Sequence, residues 1–370
     1  MSPERCGSLS PALFSIDFTQ IPLEPFEALP AELRTEEFFR ANELVNAYVD
    51  ARSRDVAALV GPQATVAPER APVWSWILER AAAARLDPGV PSQALREAAL
   101  TESPELRAAL DLIDAAAEGY PAFLRGERSG SSILFDPASP GLWEDYFSNE
   151  NPVYGAGNLL AAHAAASALG GRRARALEVG AGCGSAAESL WLRLGDAIVA
   201  YRLTDISPGF LRKARERLDS LRARGAAGAL EPAYQLLDLN RPPSTWRIAP
   251  GSFDLVYAVN VLHAVRDLLE TLRGLRDVLS GGGVLVLGEC VRPARGRPVH
   301  PEFVFQLLDE LRDAVLDPAC RPNPGFLDEA SWRASLERAG FSSVRFVPDF
   351  AEAVKAYPAH SLAAIVAWRD

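Results

Sequence analysis

Arg175 to Leu194 reads RALEVGAGCGSAAESLWLRL, and the rest of the chain is organised around it. Ala176 to Val179 is a short apolar run of the kind that forms a buried parallel strand. It breaks at Gly180, Gly182 and Gly184, and a helical pattern begins at Ser185. Strand, glycine turn and helix follow one another directly. Glycines lack Cβ atoms, so they take positive φ in a tight turn and let a ligand lie against bare backbone, its head facing amides at a helix start.

A G-x-G-x-G turn is not specific by itself, because nicotinamide and flavin proteins use the related G-x-G-x-x-G. Two neighbouring acids narrow the reading. Glu178 precedes the first glycine, where it would repel a pyrophosphate but could pair with an amino group or a sulfonium. Val199 to Leu203 forms a second apolar strand ending in Thr204 and Asp205, and an acid there is placed to accept both hydroxyls of a ribose. An acidic, glycine-rich mouth with a ribose acceptor and no place for phosphate suits S-adenosylmethionine.

At 370 residues the chain has room for one large domain with a sizeable appendage, or for two domains. Hydrophobic content of 48% and charged content of 23% are those of an ordinary soluble enzyme. A net charge of −10 argues against nucleic acid as a partner. Cys6, Cys183, Cys290 and Cys320 are far apart and, like the four histidines, show no metal or disulfide spacing. No metal is expected. The N-terminus lacks a signal-peptide pattern and no stretch has the length of a membrane span, so a cytoplasmic protein is the simplest expectation.

Residues 1–30 are proline-rich and read as an extended arm. Helical spacing follows at Glu32 to Val60, Val73 to Leu86, Pro91 to Leu100 and Ser103 to Gly119, with Asp87-Pro88-Gly89 stopping the second. The first 125 residues are therefore an all-helical appendage, suited to cap a site or to form a homodimer surface. The division expected is a helical lid over 1–150 and an α/β domain over 151–370. Ser131 to Phe135 is a transition, followed by a loop carrying Trp143, Tyr146, Phe147 and Tyr154. These rings suit core packing between lid and domain, and Tyr146 or Tyr154 is also placed to cover cofactor or substrate.

Gly157 to Leu169 is an alanine-rich helix, and Pro208 to Arg224 another, charged on one face. A third strand, Ala233 to Leu237, closes with Asp238, Leu239 and Asn240. Asp238 is placed to meet an adenine amino group or, equally well, to cap the next turn. Phe253 to Val259 is a buried strand with Asn260 to His263 at its carboxyl end. A helix from Val265 stops at Gly281, and a fifth strand, Val284 to Leu287, runs on to Glu289. Helices near Phe303 to Val315 and Asp328 to Ala339 and strands near Val344 to Val347 and Ser361 to Trp368 finish the chain. This alternation predicts a doubly wound, seven-stranded sheet with its ligand outside the strands' carboxyl ends and an antiparallel finish.

The stretches LEVGAGCGS, LTDIS, FDLVYAVNVLHAVRDLLETLRGLRDVL, GGGVLVLGE and LERAGFSSV together resemble the S-adenosylmethionine-dependent class I methyltransferases found as C-methyltransferase domains of polyketide synthases. NVLHAVRDLLETL is the most family-specific piece, and weaker similarity extends upstream through AFLRGERSGSSILF. Cys183 and Ser185 stand where the family usually has threonine and a further glycine. No ketosynthase, acyltransferase or carrier segment is recognisable beside the domain, so a tethered substrate is expected from another protein, or a free one in its place.

The resemblance implies a Rossmann-like methyltransferase of natural product biosynthesis that uses S-adenosyl-L-methionine. The cofactor set expected is Glu178, Gly180, Ala181, Gly182, Asp205, Ile206, Asp238, Leu239 and Asn260. Methylating carbon requires a base that takes a proton from a carbon flanked by carbonyls. The family's catalytic His-Glu pair matches His263 and Glu289, which close neighbouring strands. There a carboxylate would fix the imidazole tautomer and stabilise the imidazolium. Asn260 suits the cofactor's amino-acid end or a substrate carbonyl, His300 could reach the pocket from the insertion after strand five, and Tyr146 and Tyr154 are the expected substrate contacts. The alternatives are an O- or N-methyltransferase on a small natural product, in which the histidine deprotonates a hydroxyl, and a cofactor-binding scaffold without catalysis. An intact His263 and Glu289 argue against the scaffold. The acceptor expected is a small-molecule or carrier-tethered β-keto acyl group.

Overall fold

The computed structural model describes residues 17–61, 65–82, 90–138, 141–225 and 230–370. After short 3-10 turns come four helices: α1 (Glu36–Val60), α2 (Ala71–Ala82), α3 (Ser92–Glu102) and α4 (Arg107–Leu124). Two short ones, α5 (Gly130–Leu134) and α6 (Leu142–Tyr146), lead to α7 (Pro152–Leu169). Strands and helices then alternate as β1 (Ala174–Val179), α8 (Ser185–Leu194), β2 (Ile198–Asp205), α9 (Pro208–Ala223), β3 (Ala233–Leu236), β4 (Phe253–Val259), α10 (Leu268–Val278) and β5 (Leu279–Cys290). The chain ends with α11 (Glu302–Phe305), α12 (Asp309–Arg312), α13 (Glu329–Ala339), β6 (Ser343–Val347), α14 (Phe350–Ala356) and β7 (Leu362–Trp368).

The seven strands lie in the order β3-β2-β1-β4-β5-β7-β6, with β7 antiparallel to both neighbours. This is the doubly wound sheet with an antiparallel finish that the alternation predicts. Side-chain alternation sends Ala176 of β1 and Leu255, Tyr257 and Val259 of β4 to one face, where α7, α8 and α9 cover them. Leu177, Val179, Val256 and Ala258 go to the other, against α10 and α13. Helix starts are fixed by local chemistry: Thr35 accepts the Phe38 amide, Ser207 that of Phe210 and Asp267 that of Glu270. The Asp267 cap starts α10 three residues later than the expected Val265. Packing of α7 on the sheet is close, since a Cβ on Gly288 would stand 2.9 Å from that of Ala161.

Several boundaries differ from expectation. The described part of the N-terminal arm is no free arm: Phe18, Ile21, Phe26, Leu29 and Leu33 are buried in the core that α7 shares, against α1 and α14. Proline limits this segment to short 3-10 turns, but its apolar side chains still find the core. Residues 1–16 and the Asp87-Pro88-Gly89 stop lie outside the described residues. Helix α4 runs through Pro121 to Leu124, because Tyr120, Phe123 and Leu124 continue its buried face. The transition at Ser131 is the helix α5, and the region 303–315 makes two four-residue helices rather than one. Phe303, Val304 and Leu307 from that region complete the core of α1 to α4.

Among the described residues no helix is long and apolar enough to cross a membrane, and no group of side chains could hold a metal ion.

Candidate active site

β1 turns into α8 through a loop in which Gly180, Gly182 and Gly184 have φ of 65°, 52° and 82°. A Cβ on Gly180 would lie 2.4 Å from Val261 Cγ2, whereas the space beside Gly182 is open. A ligand can therefore rest on bare backbone at Gly182. The Ala181 amide donates to Thr204 O at 2.9 Å, and the Gly182 amide to Asp205 Oδ2 at 2.9 Å. Asp205 Oδ1 accepts the Ser207 amide at 2.8 Å. Burial raises the Asp205 carboxyl pKa, and the backbone N–H bonds oppose that shift.

Ile206, beside it, is 65% exposed on a cleft of about 750 Å³ that Leu237, Asp238 and Trp246 also line. An exposed apolar side chain next to a buried acid suits a flat base joined to a ribose. Asp238 sits at this cleft and accepts the Asn240 amide at 2.9 Å, so it also holds its own turn. Leu239 packs against the α10 side of the core. Glu178 is buried and accepts the Tyr201 hydroxyl; burial pushes its carboxyl pKa up to about 8. Open backbone, carboxylates and an exposed apolar rim fit S-adenosylmethionine.

The other half of the site begins where β4 ends. Asn260 has a φ of 54°, rare for a residue with a side chain, and its amide donates to Gly288 O at 2.7 Å. The next three residues wrap around Glu289, which β5 delivers from the neighbouring strand. Glu289 Oε1 accepts the amides of Val261 at 3.3 Å and Leu262 at 3.0 Å, and Oε2 lies 2.7 Å from His263 Nδ1. Glu289 is fully buried and His263 is 4% exposed. With Nδ1–H donating to the carboxylate, Nε2 is left as an acceptor.

Phe326 stacks on the imidazole with centroids 4.2 Å apart and planes at 21°. Arg321, also buried, donates to His263 O at 3.2 Å and to Arg266 O at 3.0 Å. Loss of solvent lowers the Arg321 pKa to about 10.

His263 lines a cavity of about 100 Å³ together with Tyr146, Tyr154, Asn260, His300, Phe305 and Phe326. Tyr146 and Tyr154 lie with ring centroids 5.7 Å apart. Burial raises both hydroxyl pKa values, and Ser185 beside Tyr154 opposes the shift there. The structure thus brings His263, Glu289, Asn260, both tyrosines and His300 together. Glu178, Asp205, Ile206 and Asp238 gather at the other half. The two halves touch at Val261, which packs over Gly180. Phe305, Phe326, Arg321 and Asn42 also belong to this region, and no local pattern marks them.

The family described as a methyltransferase domain matches residues 177–285. Polyketide synthase ThaG of Burkholderia thailandensis is 34% identical over 245 residues, 64% of this chain but 4% of that protein. The CurJ carbon methyltransferase structure aligns with a TM-score of 0.70 at 23% identity, covering 93% of this chain and 95% of that one. The chain is a class I S-adenosylmethionine-dependent methyltransferase.

This methyltransferase resembles the C-methyltransferase domains of polyketide synthases. A structure described as the trans-methyltransferase CalH in complex with SAH aligns at a TM-score of 0.61 and 20% identity, over 90% of this chain and 91% of that one. The chain spans only a few per cent of the synthases it matches, 4% of ThaG and 6% of PksM of Bacillus subtilis.

Proposed function

We propose that this methyltransferase adds one methyl group to the α-carbon of a β-ketoacyl thioester, carried on a carrier protein or pantetheine arm, with His263 as base. The observation that carries this reading is the buried Glu289 to His263 contact of 2.7 Å at a cavity lined by aromatic rings. A thioester and a ketone acidify the carbon between them, so an imidazole with a carboxylate behind it suffices as base. Glu289 holds the Nδ1 proton and stabilises the imidazolium formed when Nε2 accepts the α-proton. Its other oxygen keeps the Val261 to His263 turn in place.

S-adenosylmethionine supplies an electrophilic methyl group when bound. Gly180, Ala181 and Gly182 would support its amino-acid end with Glu178, Asp205 the ribose, and Ile206 and Asp238 the adenine. Asn260, between the halves, suits either ligand. Tyr146 and Tyr154 would press the acyl group towards His263, and the helices of residues 1–150 act as a lid that keeps water from the enolate. The domain of residues 151–370 then carries the cofactor site. The 34% identity to a polyketide synthase supports a polyketide-like acceptor, and with it carbon over oxygen or nitrogen.

The test is mass spectrometry of a β-ketoacyl pantetheine treated with methyl-labelled cofactor. One label at the α-carbon is expected; a label on oxygen or nitrogen would overturn the reading.

A further inference from the structure

The lid contributes a polar group as well as a cover. Asn42, Asn46, Asn151 and Asn158 are the buried asparagines among the described residues. Three of them donate their side-chain amide within the protein. Asn46 Nδ2 donates to Asn42 O at 2.9 Å, Asn151 Nδ2 to Tyr146 O at 2.8 Å and Asn158 Nδ2 to Asn149 Oδ1 at 2.8 Å.

Asn42 is different. It is 8% exposed, and among the described residues its side-chain amide makes no hydrogen bond and keeps a little of its surface open to the cavity. It lines the cavity that holds His263. Phe38, one turn earlier on α1, lines the same cavity, so this face of the helix is turned to the site. Buried amides left without partners are costly, and although Asn260, His300 and Ser361 line the same cavity, none of them bonds the Asn42 amide. Its place on the cavity wall that also holds His263 puts the donor within the region where a substrate would lie.

We infer that Asn42 binds the acyl substrate, its Nδ2–H donating to a carbonyl oxygen beside the reacting carbon. This rests on the C-methyltransferase reading above. As the α-carbon's C–H bond breaks, the proton passes to His263 Nε2 and the bonding pair spreads onto that oxygen. The hydrogen bond donated to it by Nδ2–H strengthens as the charge grows, which selects the transition state over the ground state. Low polarity around the cavity magnifies the effect.

Asn42→Leu tests this, because it keeps the branched shape of the side chain, at a larger volume, and removes the donor. The melting temperature should equal or exceed that of the wild type, since an unpaired buried amide gives way to an apolar group. Affinity for S-adenosylmethionine should stay unchanged. kcat on a short β-ketoacyl pantetheine should fall about 100-fold, the usual worth of one oxyanion donor. Exchange of the substrate's α-hydrogen with deuterium oxide should slow in parallel. Asn42→Ala gives the same reading at smaller volume if the leucine variant does not fold.

A kcat and an exchange rate within about twofold of wild type would overturn the inference. So would a loss of turnover matched by a loss of cofactor affinity, which would make Asn42 structural. A wild-type product methylated on oxygen or nitrogen sinks the underlying reading instead, and that failure is visible without any variant.

Discussion

From Glu178 to Asp238 the site is mostly backbone: a loop of three positive-φ glycines, held by N–H hydrogen bonds donated to Thr204 O and Asp205 Oδ2. From Asn260 to Phe326 it is mostly side chains, and the cavity there also takes residues from α1 and from the insertion after β5. The first half is continuous with three neighbouring strands, β1, β2 and β3. The second is assembled across nearly the whole chain. The comparison separates two tasks: a preformed backbone cradle can hold a cofactor, while a base and its substrate need several elements to converge.

The largest expected effect falls on the second half alone. On the proposed function, His263→Ala should lose roughly two to four orders of magnitude in kcat, the usual worth of a general base. Cofactor affinity, measured by calorimetry, should not move. Glu289→Gln should lose turnover in the same direction, because the imidazolium is then uncompensated. Wild-type turnover in both variants would return the pair to a structural role and break the division.

Asp205→Ala should do the reverse. Each hydrogen bond to a charged group is worth about 1.5–3 kcal/mol, so cofactor binding should weaken roughly 10- to 100-fold per ribose bond lost. At saturating cofactor, kcat should change far less. An unaltered affinity would remove Asp205 from the cofactor site.

This contrast also explains what can be read from the sequence. The strand order follows from alternating apolar runs, and the glycine turn and Asp205 follow from residues only one strand apart. His263 and Glu289 are legible because their strands are neighbours in this sheet and because the motif around them is family-specific. Phe326 and Asn42 give no signal, since their roles depend on packing between elements far apart in the chain, 63 residues from His263 for Phe326 and 221 for Asn42. Burial of the arm at Phe18 to Leu33 is hidden for a related reason: proline removes helical periodicity but leaves apolar side chains free to bury.

Glu178 offers a pH test of the first half. Burial holds its folded-state pKa near 8, far above that of an unfolded carboxyl. The sign follows: this group's contribution to stability is complete below the unfolded carboxyl pKa and is lost as pH rises towards 8. If the carboxylate meets the cofactor's ammonium group, binding must expel that proton below pH 8. Affinity should then rise about tenfold from pH 6 to pH 7 and level off near 8. Glu178→Gln should flatten the profile. A wild-type profile in that variant would leave Glu178 as a core residue bonded to Tyr201.

The smallest expected effect concerns Phe326, where the second half is sharpened rather than broken. Its ring lies 4.2 Å from that of His263, nearly parallel, and so limits how far the imidazole can turn about the bond to Glu289. Aromatic pairs of this kind contribute about 0.5–1.5 kcal/mol beyond the area they bury. Phe326→Leu keeps an apolar neighbour but removes the stacked face, so kcat should fall about 2- to 10-fold, the kinetic equivalent of that energy. Cofactor affinity should stay constant, because Phe326 lies in the half of the site away from Asp205. A double variant with Glu289→Gln should lose less than the product of the two separate losses, since both residues act through one imidazole. Full multiplicativity in kcat would show that Phe326 acts on the substrate and not on the orientation of His263.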